Sequence, residues 1–255
     1  MAAEKLNTRL RVLEQLELNR SKSLSGEKLA ALLGVSRNAV WKAVNELKKE
    51  GYPIEAATNK GYSLGENANI LTLQSLAPYL EAGVNKDNII VFNEVESTND
   101  IAIELALKGA PHGTVVLADR QSKGRGHKGI DFYSPTQSGV YLSFVLRPEQ
   151  AGFNAEEASS IAAQAVCEAV LNICNKNAVA NKSNDIILNG KKICGILTEA
   201  LLEPDTGYIR WFVTGIGIYL NTGDFEEGFG SIFNKDGLNA LRIRIAAHVV
   251  NALGV

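Results

Sequence analysis

Apolar positions recur at helical spacing near the start of the chain. Leucines return every three or four residues between positions 6 and 18, which places them on one face of a helix. A second helix is expected to begin after Ser25 and to run through Leu33, because a serine hydroxyl can accept a hydrogen bond from the first turn. After a short turn, Ser36 can cap a third helix that extends to about Glu50. The pattern predicts a helix-turn-helix.

The pattern changes from helical to alternating after the third helix. An alternating segment from Tyr52 to Ala56, a turn at Asn59–Gly61 and a strand from Tyr62 to Leu64 predict a β-hairpin. A hairpin in this place is the wing of a winged helix-turn-helix, so we expect residues 1–65 to form one domain. The polar segment 66–70 is expected to be a linker.

The third helix of such a unit enters the major groove of DNA, and the residues at its N-terminal end reach bases and phosphates. A lysine of the wing adds positive charge beside them. The residues expected to contact DNA are Ser36, Arg37, Asn38, Trp41, Lys42 and Lys60. A small helical domain that binds protein has a similar pattern, and the basic side chains favour DNA.

From about Leu71 onward, helical and strand patterns are mixed. Helices are expected at 99–108 and 154–174, and strands at 89–92, 114–118, 140–146, 185–188, 192–200 and 208–219. Since the strands of the second half follow one another as hairpins, the pattern favours an α+β domain with a mixed or antiparallel sheet over a doubly wound one. Residues 71–255 are expected to form this second domain.

Charge is distributed unevenly between the two parts. The 255-residue chain has a net charge of −2, made up of +4 in residues 1–65 and −6 in the remainder. A basic end on an acidic body indicates that only the N-terminal part meets nucleic acid. No apolar run approaches the roughly 18 residues that span a bilayer, and the N-terminus lacks the apolar stretch of a secretory signal. We therefore expect a cytoplasmic protein with no membrane partner.

The most distinctive segment is Gln121–Gly129, in which three glycines are interspersed with an arginine, a histidine and two lysines. Glycine lets the backbone approach a ligand closely, while free N–H groups and basic side chains attract an anion. The segment indicates a loop that folds over a phosphate. A surface hairpin turn with solvated charges has the same composition, so the segment alone leaves both interpretations open.

Four motifs in a fixed order carry a resemblance that covers nearly the whole chain. They are Glu96–Asn99, Gln121–Gly129, Ser183–Asp185 with Lys191–Glu199, and Gly215–Ile218. Behind a helix-turn-helix, they resemble the bifunctional bacterial biotin-protein ligases, which also repress biotin genes. The resemblance implies a class II synthetase-like ligase domain that uses biotin, ATP and Mg²⁺. It also implies two partners, a biotin carboxyl carrier domain of acetyl-CoA carboxylase and operator DNA, the latter bound by a homodimer.

The resemblance assigns roles to individual residues. The biotin site would comprise Ser97, Thr98, Asn99, Gln121, Arg125, Gly126, His127 and Gly195. The nucleotide would be held by Lys128, Phe132, Asn184 and Asp185. Of these, Asp185 is the candidate ligand of Mg²⁺. Arg125 would reach the biotin carboxylate and the phosphate, and is a candidate catalytic residue together with Asn181 or Lys182.

Three positions at the site depart from the family pattern. His127 stands where the family has a charged arginine, so the activated intermediate should be retained less well and should leak. Phe132 stands where a tryptophan packs against adenine. Asn181 stands where a lysine stabilises the transferring phosphate, with Lys182 one position away. On a strand, neighbouring side chains point to opposite faces, so Lys182 substitutes only if the backbone is irregular there.

Two further departures lie near the end of the chain. Tyr219 stands where the family has an asparagine, and the sequence stops at Val255, after a helix, without the small C-terminal β-barrel that often closes over ATP. The departures at His127, Phe132 and Asn181 leave open a second hypothesis, a biotin-sensing transcription regulator with impaired catalysis. A lipoate-type acyltransferase is a third hypothesis, against which the Gly-Arg-Gly loop and the helix-turn-helix argue.

Overall fold

The structure is a computed structural model that describes residues 7–20, 22–57, 60–65, 68–148, 154–202, 209–221, 227–233 and 241–253. The chain forms two compact units, Met1–Pro78 and Tyr79–Val255. Within the described ranges, no helix is both long enough and apolar enough to cross a membrane.

The first unit contains three helices, a hairpin and a short helical turn. Its elements are α1 (Thr8–Leu18), α2 (Gly26–Leu33), α3 (Arg37–Lys49), β1 (Ile54–Ala57), β2 (Gly61–Leu64) and α4 (Leu73–Leu76). The side chains of Asn7, Ser25 and Ser36 cap the three long helices by accepting hydrogen bonds of 3.0–3.1 Å from backbone N–H groups. The helices predicted after Ser25 and Ser36 are confirmed. Leu6, the predicted start of α1, lies outside the described residues.

The wing is fastened to the helices through one strand. β1 and β2 pair antiparallel, with Ile54 opposite Leu64, and Tyr62 exchanges two backbone hydrogen bonds of 2.8 Å with Leu24, just ahead of α2. Gly61 is required at the start of β2, because its φ is +99° and a side chain there would overlap the backbone of Leu24. The predicted winged helix-turn-helix is therefore present.

The boundary between the units lies later in the chain than the sequence indicates. α4 packs on α1, and Leu71 and Leu76 are buried. The segment up to Pro78 thus belongs to the first unit, whereas the change of pattern placed the second domain's start at Leu71. A four-residue helix with a Thr72–Ser75 capping box is too short to produce a recognisable period in the sequence.

The second unit is built on a mixed sheet. Its elements are β3 (Ile89–Val95), α5 (Thr98–Leu107), β4 (Thr114–Gln121), β5 (Gly139–Leu146), α6 (Ala155–Cys174), β6 (Val179–Ala180), β7 (Ile186–Leu188), β8 (Lys191–Leu202), β9 (Ile209–Tyr219) and α7 (Leu241–Leu253). The described strands follow the order β3-β4-β5-β9-β8-β7-β6. Among the described strands, β3 and β4 are the one pair that runs parallel. The predicted α+β class and mixed sheet are confirmed.

Helices cover the two faces of this sheet unequally. On one face, α5 packs through Ala102 and Ala106 against Val145, Trp211 and Val213 of the central strands. The opposite face carries α6, whose Ser159 joins a chain of hydroxyl contacts to Thr198 and Thr214, while α7 packs against α6 and β5. α5 begins at Thr98 and leaves part of the first face uncovered beyond its N-terminus. The candidate site lies on this uncovered part of the sheet.

Candidate functional site

A cleft lies on the sheet face just beyond the N-terminus of α5, and we call it the slot. It is lined by 97–99 at the start of α5, Gln121, 125–127, Phe132, Lys192, and 195–197 and 215–217 of the central strands. Three glycines form its floor, which therefore has no side chains. Gly215 and Gly217 face the slot from β9, and Gly195 of β8 pairs with Gly217. A Cβ at Gly217 would overlap the ring of Phe132. The glycines therefore keep a flat surface on which a planar group can lie.

The N-terminus of α5 holds the amide of Gln121 in one orientation. Ser97 caps the helix by accepting a hydrogen bond from Asp100 N. The backbone N–H and the hydroxyl of Thr98 both lie near Gln121 Oε1, at 2.8 and 3.0 Å, and Gln121 Nε2 donates to Ser134 Oγ at 2.9 Å. With its oxygen engaged twice and its nitrogen once, the amide is fixed in direction and can offer its second N–H to a polar ring beside the helix N-terminus.

A buried polar network continues from this corner beneath the slot. Ser143, fully buried on β5, places its hydroxyl 2.6 Å from Asn99 Oδ1 and 2.8 Å from Thr98 Oγ1. The other end of the Asn99 amide donates to Glu199 Oε2 at 2.8 Å. Asn99, predicted to bind ligand, is thus occupied at both ends by the protein. Ser143 was missed in the sequence because an isolated serine within an apolar strand carries no motif.

The glycine-rich segment forms a compact loop over the slot. Phe132 N donates to Gly124 O at 2.8 Å, and Gly126 N donates to Ile130 O at 2.7 Å. A Cβ at Gly124 would come within 2.5 Å of Phe132 O, so the loop closes only with glycine there. His127 lines the slot on its exposed side. The side chain of Lys128, predicted to bind nucleotide, lies outside the described residues.

Arg125 is paired with two carboxylates at the mouth of the slot. Its guanidinium contacts Asp100, at the start of α5, and lies 3.4 Å from both carboxylate oxygens of Glu199 on β8. Partial burial lowers the pKa of Arg125, but the hydrogen bond to Asp100 and the charges of both carboxylates outweigh it, so the pKa is raised. The arginine is thus fully charged and held where an anion entering the slot would meet it.

Lys192 is the slot's inner cation, and the sequence-based assignment missed it. Its Nζ lies 2.7 Å from Asp185 Oδ1 and 5.6 Å from the centre of the Phe229 ring. Strict alternation along β8 would turn Lys192 away from the face that carries Gly195. Cys194 and Lys192 pair with the consecutive residues 186 and 187, so β8 has one extra residue there. This bulge brings Lys192 into the slot lining.

Neither of the two predicted catalytic alternatives lines the slot. Asn181 and Lys182 are exposed, and they belong to a turn between β6 and β7 rather than to a strand. Asn181 Oδ1 accepts hydrogen bonds from the backbone of Ser183 and Asp185, at 2.9 and 3.0 Å, and so shapes that turn. The backbone at Lys182 is irregular, as that hypothesis required, but the side chain is exposed and does not line the slot.

Of the predicted nucleotide ligands near this turn, Asp185 is the better placed. Its carboxylate is mostly buried and contacts Lys192, whereas Asn184 adopts a left-handed backbone with φ of +58° within the turn. Among the described residues, no group of three or more histidine, cysteine or acidic side chains could hold a metal ion. A single carboxylate still suits Mg²⁺, which commonly takes one or two protein carboxylates and completes its shell with substrate phosphates and water.

Tyr219 accounts for the unexplained departure at the end of β9. Its ring stacks on Phe132, with centroids 4.9 Å apart and planes inclined by 5°, and meets Phe229 edge to face at 6.3 Å. An asparagine at this position would leave Phe132 without that neighbour. The two aromatic departures from the family pattern are therefore adjacent in space.

The first unit presents a separate candidate surface on α3. Val40, Ala43, Val44 and Leu47 are buried on one side of this helix. The other side carries Arg37, Asn38, Trp41 and Lys42, all exposed, and Lys60 is exposed beside the wing turn. The hydroxyl of Ser36 is engaged as the helix cap. The predicted basic residues thus share the solvent face of the third helix.

Comparison with known proteins finds a match for each of the two parts of the chain. The HTH domain model matches residues 8–63, and the model of the biotin/lipoate A/B protein ligase family matches residues 91–212. The bifunctional ligase/repressor BirA of Bacillus subtilis is 37% identical over 206 residues, which cover 80% of this chain and 63% of that protein. BirA of Escherichia coli is 29% identical over 236 residues, which cover 90% of this chain and 70% of that protein.

Solved structures of biotin protein ligases have a fold similar to that of the second part of the chain. The biotin protein ligase of Aquifex aeolicus in complex with biotin and ATP matches with a TM-score of 0.51 and 26% identity, over 65% of this chain and 70% of that one. The Leishmania major enzyme in complex with biotinyl-5-AMP matches with a TM-score of 0.50 at 24% identity, over 64% and 73% of the two chains, and supports the fold alone.

The fold and the slot define a ligase-type domain of the biotin/lipoate class behind a helix-turn-helix unit. One part of the chain matches the HTH domain model and the other the biotin/lipoate A/B protein ligase family, and the chain is similar to the bifunctional ligase/repressors of Bacillus. It spans 63–64% of the length of the Bacillus relatives.

Proposed function

We propose that this chain is an ATP-dependent biotin-protein ligase that also represses transcription in response to biotin. The observation that carries the catalytic part is the slot itself. It combines an oriented amide and helix N-terminus at one end, a glycine floor, and the Lys192 ammonium at the other end, with Arg125 at the mouth. A ligand with a polar ring system, an apolar body and a terminal carboxylate fits this order of groups.

The first step would join the biotin carboxylate to the α-phosphate of ATP. The carboxylate oxygen attacks phosphorus and pyrophosphate leaves, so two anions must approach each other. Lys192 and Arg125 would offset their charge, and the N–H groups of the loop would add donors around the phosphate. Mg²⁺, held by Asp185 together with the phosphates, would neutralise further charge.

The second step would transfer biotin to a lysine amine of a carboxyl carrier domain. The neutral amine attacks the acyl carbon of biotinyl-AMP, AMP leaves with the bonding electrons, and the amine loses its proton. The proton passes to water or to the departing phosphate, and the protein would also retain the adenylate until the acceptor arrives. The loop that carries Arg125 and His127 borders the slot and would cover the adenylate there.

The DNA-binding part of the proposal rests on the exposed face of α3. Arg37 and Lys42 are free of described ion pairs and project with Asn38 and Trp41 from one side of the helix, as a recognition helix requires. We propose that a homodimer presents two such helices to an operator with two half-sites. The protein would then act in the cytoplasm, where both its DNA and its carrier partner are present.

An isotope-exchange assay between pyrophosphate and ATP tests the catalytic proposal, because it reports adenylation alone. Exchange that depends on biotin is the expected result. Exchange with lipoate in place of biotin would overturn the substrate and favour the acyltransferase hypothesis. Binding of biotin in calorimetry without any exchange would overturn the catalytic step and leave a biotin-sensing regulator. Binding to neither ligand would overturn the proposal for the slot altogether.

A further inference from the structure

We propose that Ser143, on the central strand β5, is a positioning residue of the slot. Its hydroxyl holds Thr98 and Asn99 from below, in the arrangement through which the start of α5 meets the polar ring of a ligand. The inference deepens the proposed biotin-binding function of the slot and rests on it. It is carried by the contacts of this hydroxyl, by its burial and by the strand pairing beneath the slot.

Ser143 lies beneath the slot rather than in its lining. It is fully buried, and in the pairing of β5 with β9 it stands opposite Gly215, one of the floor glycines. A Cβ at Gly215 would overlap the side-chain amide of Asn99, so this amide lies directly over the glycine. The Ser143 hydroxyl thus meets the first turn of α5 from inside the sheet, and any effect it has on a ligand passes through the residues above it.

Asn99 depends on this hydroxyl for its orientation. Asn99 Nδ2 donates to Glu199 Oε2 at 2.8 Å, which directs Oδ1 toward β5. An amide oxygen only accepts hydrogen bonds, and the Ser143 hydroxyl donates to it at 2.6 Å. Asn99 is only 5% exposed. Removal of the donor would therefore deprive a buried acceptor of its partner, which costs more than an ordinary hydrogen bond contributes.

The neighbouring contacts determine how Thr98 faces the slot. Ser143 Oγ lies 2.8 Å from Thr98 Oγ1, which lies 3.0 Å from Gln121 Oε1. This row of contacts ends in amide oxygens on both sides, those of Asn99 and Gln121, and neither can supply a hydrogen. Three contacts therefore share two hydroxyl hydrogens. Because the hydrogen of Thr98 is used within the row, Thr98 Oγ1 faces the slot as an acceptor for an N–H group of the ligand.

The affinity of the slot for a polar ring should depend on this order. The ureido ring of biotin carries N–H and C=O groups in a fixed geometry, so it binds well only where the facing acceptors and donors keep their directions. Without the Ser143 hydroxyl, Thr98 and Asn99 would populate several arrangements. The apparent affinity would then fall in proportion to the fraction of the protein in the competent one. Lys192 and Asp185 are held by each other, so the chemistry at the phosphate should not change.

Calorimetry with biotin on full-length variants tests this role. Ser143→Ala removes one oxygen atom and should lower biotin affinity about five- to twentyfold, since each side chain that binding must immobilise costs about two- to tenfold. Thr214→Val is the matched control. It also removes a fully buried hydroxyl from the sheet, but from the face that meets α6, where Thr214 contacts Thr198 at 3.1 Å. It should keep wild-type affinity, although both variants should unfold at a lower temperature.

The exchange between pyrophosphate and ATP separates positioning from general damage to the site. In Ser143→Ala, the KM for biotin should rise by the same factor as the dissociation constant. The KM for ATP, and kcat at saturating biotin, should stay within about twofold of wild type, because the lost hydroxyl acts on the ring of the ligand and not on the reacting atoms.

Each result decides the question. Unchanged biotin affinity in Ser143→Ala, an equal loss in Thr214→Val, or an equal rise of both KM values would overturn the proposal, since the hydroxyl would then only support the sheet. If Ser143→Ala fails to fold, Ser143→Cys replaces it. A thiol is too large and too weak a donor for the 2.6 Å contact, so wild-type affinity in Ser143→Cys would overturn the proposal equally. Absence of biotin binding in the wild type would instead refute the proposed function, and is distinguishable because there would be no affinity to compare.

Discussion

At the scale of single residues, the site depends on which way side chains point rather than on which residue types are present. Asn181 and Lys182 stand at the aligned positions but point into a solvent-exposed turn, whereas Lys192 reaches the slot through a bulge. A cation contributes to phosphoryl chemistry only if it lies beside the reacting atoms in a place with little water.

We expect Lys192→Ala to slow biotin-dependent exchange between pyrophosphate and ATP by about 100-fold or more, since one preorganised donor to a developing charge is worth roughly 2.7–4 kcal/mol. Lys182→Ala is the matched control and should leave the rate within about twofold. Asn181→Lys should give no gain, because it loses the amide oxygen that holds the turn. A loss in Lys182→Ala as large as that in Lys192→Ala would contradict this assignment.

If the slot holds an activated adenylate, we expect His127 to influence how well that intermediate is retained. The side chain is exposed at the edge of the slot, where an arginine would carry a permanent charge and a bidentate donor group. We expect His127→Arg to slow the release of biotinyl-AMP by about tenfold, since a hydrogen bond to a charged group contributes about 1.5–3 kcal/mol and exposure reduces it. Chromatography of the released adenylate measures this. Release that is equal in both proteins would show that the loop, not this side chain, retains the intermediate.

At the scale of helices and strands, the sequence predicts the features that depend on residues close to one another in the chain. The starts of α2 and α3 follow from Ser25 and Ser36, because a cap and the period behind it lie within a few residues of each other. The long strands follow from alternating or apolar runs. The bulge in β8 cannot be predicted in this way, because it is defined only by the pairing of β8 with β7. The position of Lys192 in the slot depends on this bulge and therefore could not be predicted either.

The glycine floor of the slot also depends on strand pairing, because the pairing of β8 with β9 brings its glycines side by side. We expect Gly217→Ala to weaken biotin binding at least tenfold in calorimetry while the sheet stays folded, because its methyl group would stand on the floor of the slot. The control is Gly26→Ala in α2, where a methyl group meets only Tyr62 at an ordinary 3.5 Å and removal of a helical glycine is favourable. Unchanged affinity in Gly217→Ala would remove the glycine floor from the binding site.

At the scale of the whole molecule, charge and chemistry are divided between the two units. The basic excess lies in residues 1–65, and the slot lies within the second unit. The pattern of the chain was sufficient to predict that the basic excess and the glycine-rich loop lie in different units. It was insufficient for the boundary, because α4 is too short to show a period.

The division predicts that the two activities can be removed separately. Arg37→Ala or Lys42→Ala should weaken binding to the protein's own promoter region in gel-shift series, and should reduce the slope of log affinity against log salt by about one, because one phosphate contact is lost. Biotin affinity should not change. Lys108→Ala, on an exposed lysine of the second unit, is the control. Equal DNA binding by wild type and both α3 variants would exclude this helix from the interface.

The glycine floor also has a consequence for how the chain must fold. Gly195 meets Gly217 only in the observed register of β8 and β9, and a slip of one residue would replace the flat surface by the isoleucines that follow each glycine. Such a misfolded product would still bury an apolar sheet and would give a normal far-ultraviolet spectrum. After refolding from denaturant, the number of biotin sites titrated per chain should therefore fall below one before any loss of secondary structure is seen, which makes site titration the more sensitive measure of correct folding.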